Sequence, residues 1–133
     1  MNKIEHIGIA IKDAEVSVPL FNKLYHSTPY KTEVVESEQV KTIFYQVGPN
    51  KIELLEATSS DSTIAKFIEK KGEGMHHIAY DVTDIYAEME RLKAEGFQFI
   101  HEQPKPGADN KLIAFLHPKS TNGVLIELCQ ERP

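Results

Sequence analysis

The feature that most constrains this chain is that it repeats. The segment Glu5-His6-Ile7-Gly8-Ile9-Ala10-Ile11 can be laid over His76-His77-Ile78-Ala79-Tyr80-Asp81-Val82. An acidic, helix-starting stretch follows each, Lys12-Asp13-Ala14-Glu15 in one and Thr83-Asp84-Ile85-Tyr86 in the other. The halves also end alike, with Lys51-Ile52-Glu53-Leu54-Leu55-Glu56 matching Leu125-Ile126-Glu127-Leu128-Cys129-Gln130. His6 precedes Glu53 by 47 residues, and His77 precedes Glu127 by 50. Each half is long enough for one supersecondary unit and too short to bury a comfortable core alone. Two halves packed together are expected, as one domain over residues 1–133, with modules of about 1–57 and 74–133 and a linker at 58–73.

The pattern of elements agrees with two copies. Residues 3–11 alternate and are rich in Ile, which predicts a strand. A helix is expected over 17–25, with Ser17 as N-cap, Pro19 in the first turn, and Phe21, Leu24 and Tyr25 on one face. Strands follow at 30–35, 40–47 and 51–56, with a turn at Gly48-Pro49-Asn50. The linker contains a short helix at 63–71, ended by Gly72. In the second half a strand is expected at 75–82 and a helix at 84–95, with Ile85, Met89 and Leu92 on one face and Gly96 as its stop. Strands near 97–101, 111–117 and 123–129 complete the order, and 103–110 is the least regular loop. The fold class is α+β, β-α-β-β-β twice, mostly antiparallel.

Composition narrows the function. Fifteen Lys and Arg against twenty Asp and Glu give a net charge of −5, which lacks the basic footprint of a nucleic-acid binder. The only cysteine is Cys129, so there is no internal disulfide, no CxxC motif and no thiolate zinc site. No apolar run reaches the ~20 residues of a membrane span, and no signal-peptide core opens the chain. A reducing, cytoplasmic location is the expectation. No glycine pattern matches a dinucleotide or P-loop motif.

Four residues stand out because side chains alternate along a strand. His6 is out of phase with Ile7, Ile9 and Ile11, and His77 with Ile78 and Tyr80. Glu53 is out of phase with Ile52 and Leu54, and Glu127 with Ile126 and Leu128. A single strand histidine is ordinarily structural. A carboxylate in an apolar strand is odder, since carboxylates are seldom buried without a partner. The same His and Glu occurring twice in register predicts that the four converge about a pseudo-twofold axis. Two imidazoles and two carboxylates suit a divalent ion such as Mn2+, Co2+, Ni2+ or Zn2+.

These segments, together with Gly74-Met75-His76-His77-Ile78-Ala79 and Phe115-Leu116-His117-Pro118-Lys119-Ser120 running into Gly123-Val124-Leu125-Ile126-Glu127-Leu128, carry a resemblance. The chain resembles the vicinal-oxygen-chelate superfamily, or glyoxalase fold, and within it the methylmalonyl-CoA epimerases, over essentially its full length. The histidine and Glu53 segments are generic to the superfamily, and the last stretch is far more specific to the epimerases. The resemblance implies paired βαβββ modules curled into a half-open barrel around a metal held by His6, Glu53, His77 and Glu127. Some relatives carry Gln at the Glu53 position. It further implies epimerisation of (R)- and (S)-methylmalonyl-CoA by α-proton abstraction through a metal-stabilised enolate. Co2+ or Mn2+ is the implied cofactor, with Ni2+, Zn2+ or Mg2+ behind them.

Inversion needs two acid/base groups, one for each face of the substrate, or one that moves. Glu127 is the expected one, ligand and base together. Some relatives place a Glu on the third strand, where this register has Thr42, a poor base, so Glu53 or bound water is the fallback. His76 has the phase opposite to His77 and is expected to face away from the site. His117 and Lys119 fit either the site or a solvated strand end. Lys66, Lys70, Lys71, Lys105, Lys111 and Lys119 are the candidates for CoA phosphates, and Cys129 reads as a small buried filler. An acyl-CoA thioester is the expected partner, and a homodimer is an assembly that paired modules admit. Three rivals share the fold. An extradiol dioxygenase needs an open position that Glu53 would fill. Lactoylglutathione lyase lacks the epimerase-like last stretch. A metal-free binding protein has no use for the quartet.

Overall fold

The computed structural model describes residues 1–133. In chain order the elements are β1 (Lys3–Ile11), α1 (Ala14–Tyr25), β2 (Lys31–Val35), β3 (Val40–Val47), β4 (Asn50–Ala57), α2 (Thr63–Lys71), β5 (Gly74–Asp81), α3 (Ile85–Ala94), β6 (Lys105–Pro106), β7 (Lys111–Leu116) and β8 (Ile126–Glu131). The β-α-β-β-β order occurs twice, on either side of α2, and the class is α+β. The chain divides into two compact units, Ile7–His76 in one, and Met1–His6 with His77–Pro133 in the other.

In the Ile7–His76 unit the strand order is β2-β3-β4-β1, and β3 pairs antiparallel with both β2 and β4. One face of this sheet packs Ile11, Ile43, Tyr45 and Leu54 against Ala14, Val18, Phe21 and Tyr25 of α1. Ala10, Val40 and Leu55 pack against Ile64, Phe67 and Ile68 of α2. Glu53 and Phe44 are partners across β4 and β3. Helix α1 starts three residues earlier than the sequence reading, because Asp13 rather than Ser17 is the cap and accepts from Glu15 N at 2.9 Å. Pro19 therefore sits in the second turn. Its missing N–H leaves the carbonyl of Glu15 without a helical donor, on an exposed face where water can serve instead. Leu24 is exposed, since the buried face runs through Ala14, Ser17, Val18, Phe21 and Tyr25.

In the other unit β8 is central. It pairs parallel with β5 and antiparallel with β7, and the two-residue β6 edges β7. One face packs Ala114, Leu116 and Leu128 against Ile85, Met89 and Leu92 of α3. The opposite face carries Ala79, Ile113, Cys129 and Phe115. Residues 97–101 do not form the expected strand. Phe97 and Phe99 dock on the α3 core, but ladder pairing is limited to one bridge, Phe99 to Leu116. Pro104 and Pro106 lack the N–H groups a longer ladder would need. Strand β8 starts at Ile126 rather than 123, because residues 121–125 complete a turn in which Asn122 and Gly123 take positive φ and Gly123 N donates to Pro118 O. No helix is long and apolar enough to cross a membrane.

The repeat extends to how each helix is tied down. Ala14 N donates to Glu56 Oε2 at 2.6 Å, and Ile85 N donates to Gln130 Oε1 at 2.7 Å. In both modules the last strand supplies an oxygen to an otherwise orphaned amide at a helix start.

Candidate functional site

Strands β1, β5 and β8 position the candidate side chains. On β5, His77 shares a face with Ala79, whose small side chain is fully buried beside it. On β8, Glu127 shares a face with Cys129, while Leu128 turns the other way into the α3 core. Phe115 stands directly across from Glu127 on β7 and meets the His77 ring edge-on, with centroids 5.9 Å apart.

His6, His77 and Glu127 converge, and all three are buried. His6 Nε2 is 3.0 Å from His77 Nε2 and 3.1 Å from Glu127 Oε1, and His77 Nε2 is 3.0 Å from the same oxygen. The two rings cross at 87°. Glu127 Oε1 is buried, and neither nitrogen approaches it with the alignment of a hydrogen bond. Burial alone would push this carboxyl up, but the two facing imidazoles outweigh it and hold it well below the usual carboxylate range.

Three donor atoms at mutual spacings of 3.0–3.1 Å form a nearly equilateral triangle. Bonds of ~2.1 Å to one ion place adjacent octahedral donors ~3.0 Å apart, and tetrahedral donors ~3.4 Å apart. The spacing fits one face of an octahedron. The donor chemistry, two imidazoles and a carboxylate, suits a borderline divalent ion. A buried anionic oxygen with no aligned donor is also what a cation would satisfy.

The other sequence-selected residues fall as follows. Glu53 lies on β4 in the Ile7–His76 unit, 6% exposed, and Thr42 is buried on the neighbouring β3. His76 is half-buried and sets its ring edge on Phe67 of α2, at 4.9 Å between centroids. His117 caps the 3-10 turn Pro118–Ser120, its Nδ1 accepting from Lys119 N at 3.1 Å. Cys129 is buried. Lys71 lies over the Phe67 ring, and Lys111 is buried with its Nζ 3.9 Å from Glu131. The sequence reading passed over Glu5, which is buried beside His6 with Oε1 2.8 Å from His6 Nδ1. The available signal was a lone acid in an Ile-rich strand. Strict alternation hid it, because neighbours on a strand are expected to face apart.

Residues 5–115 match the family described as Glyoxalase/Bleomycin resistance protein/Dioxygenase superfamily. The uncharacterized protein YqjC of Bacillus subtilis is 37% identical, over 99% of this chain and 94% of its own length. An ethylmalonyl-CoA/methylmalonyl-CoA epimerase of Cereibacter sphaeroides is 36% identical, covering 98% of both chains. Among solved structures, a methylmalonyl-CoA epimerase in complex with methylmalonyl-CoA and NH4+ superposes with a TM-score of 0.93 at 34% identity, over 98% of this chain and 95% of that one.

Proposed function

The chain belongs to the glyoxalase/bleomycin resistance protein/dioxygenase superfamily, and from that premise we propose that it is an isomerase interconverting (R)- and (S)-methylmalonyl-CoA. The observation that carries the proposal is the buried His6, His77 and Glu127 triad, spaced as donors to one ion, in a chain whose full-length relatives include named epimerases. We further read residues 1–133 as a single domain of two modules.

His6, His77 and Glu127 would hold a divalent cation, Co2+ or Mn2+ first, with Glu53 as the fourth donor by its place in the repeat. Such a cation supplies Lewis-acid stabilisation of the negative charge that develops on the thioester oxygen when the α-proton leaves. The protein does the rest. Glu127 is the carboxylate beside that ion, and an ionised carboxylate can accept a proton at neutral pH. Burial keeps water from competing for that proton. Inversion requires the proton to return on the opposite face, and Glu53 is the remaining carboxylate of the quartet for that task. Phe115, packed on His77 and paired with Glu127, fixes the imidazole and excludes solvent.

The test is removal and return of metal. Protein stripped by a chelator is expected to lose epimerisation of methylmalonyl-CoA, and Co2+ or Mn2+ is expected to restore it. Full activity in protein shown to be metal-free would defeat the proposal.

A further inference from the structure

Glu5 is an unusual residue to bury on a strand rich in isoleucine. It is 4% exposed, as is His6 beside it. Its Oε1 is 2.8 Å from His6 Nδ1. With Glu5 ionised, its carboxylate can only accept, and the proton in that contact then belongs to Nδ1. The lone pair of Nε2 is then free to face the point where His77 Nε2 and Glu127 Oε1 converge, 3.0 and 3.1 Å away.

We propose that Glu5 is a positioning residue that locks His6 in the Nδ1–H tautomer and so presents Nε2 as a metal donor. The inference rests on the reading of the triad as a metal centre. A neutral imidazole without this partner can carry its proton on Nε2 instead. Nε2 would then present an N–H in place of a lone pair, removing one donor from the site. Glu5, His6 and Cys129 form one buried cluster, with ligand atoms within 4.8 Å of one another. Solvent therefore does not replace the carboxylate once it is gone. A carboxylate behind a ligating histidine fixes ring orientation and tautomer and raises the basicity of the donor nitrogen.

Two readings test it, and only one needs metal-dependent chemistry. The first is the 15N spectrum of the His6 ring in ion-free protein. Wild type and Glu5→Gln are expected to show a proton on Nδ1, because an amide oxygen also accepts. The second is Co2+ affinity from visible-absorbance titration. Glu5→Leu is expected to bind about 10–100-fold more weakly, and Glu5→Gln to fall between it and wild type. A wild-type ring with no proton on Nδ1, or an unchanged Co2+ affinity in a folded Glu5→Leu protein, would overturn the role. The isosteric Glu5→Gln keeps the comparison available if Glu5→Leu does not fold. If wild type binds no divalent ion, the metal reading fails separately. The ring spectrum stands apart from that outcome: a proton on Nδ1 upholds the lock and its absence removes it.

Discussion

Helices α1 and α3 begin 71 residues apart, at Ala14 and Ile85, each behind an aspartate cap and each tied to an oxygen from the last strand of its own module. They differ in what the rest of the helix does. Helix α3 buries Ile85, Met89 and Leu92 on one face, and of its large apolar residues only Tyr86 is exposed. Helix α1 buries a face through Ala14, Val18, Phe21 and Tyr25 and leaves Val16, Leu20 and Leu24 in the open. The tie differs as well: a carboxylate, Glu56, in the first module and an amide, Gln130, in the second. The cross-strand pairing of Phe44 with Glu53 and of Phe115 with Glu127, by contrast, is the same in both modules. Duplicated backbone geometry has been kept, while the side chains that use it have diverged.

The largest effect should come from the two glutamates. Glu127→Gln is expected to lose about 10²–10⁴-fold in solvent exchange at the substrate α-carbon, the usual worth of a general base. Metal should remain bound, because an amide oxygen still coordinates. Glu53→Gln is expected to fall less. Exchange started from each epimer separately reads both, and an equal loss in the two variants would erase the asymmetry drawn here.

The helices come next. Leu92→Ala should cost about 2–5 kcal/mol, as a buried leucine truncation does. Leu24→Ala should stay within about 0.5 kcal/mol, as surface changes do. Urea unfolding of both variants checks the pair, and a large cost at Leu24 would mean that α1 has a covered second face.

The helix ties are the smallest of the three. Losing a charged acceptor, Glu56→Ala, should cost about 1.5–3 kcal/mol, and losing a neutral one, Gln130→Ala, about 0.5–1.5 kcal/mol. Thermal denaturation ranks them, and the reverse order would show that the acceptor's charge does not set the strength of the tie.

Much of this fold was legible because the repeat doubles every signal. His6 and Asp13 lie 71 residues before His77 and Asp84, so strand, helix start and candidate ligand are each seen twice. Helix α3 was readable because charged residues occupy its outer face and leave one apolar stripe. Helix α1 was not, because Val16, Leu20 and Leu24 offer a second stripe of equal quality, and periodicity cannot choose between them. The segment 97–101 looks like a strand by composition, yet the burial of Phe97 and Phe99 and the prolines after them decide its path. In the site, phase said that one of His76 and His77 faces away, and the repeat register selected His77; His76 packs on Phe67. Glu5 escaped because alternation says nothing of contacts between consecutive residues.

We propose that three converging side chains, His6, His77 and Glu127, make this chain a metal-dependent proton-transfer catalyst. Solvent deuterium exchange into methylmalonyl-CoA tests it most directly, run on the same protein stripped of metal and then reloaded with Co2+. The account predicts deuterium at the α-carbon only with the ion present, and only slight incorporation in Glu127→Gln. Incorporation at the same rate in the stripped protein, or none in the reloaded one, would contradict it.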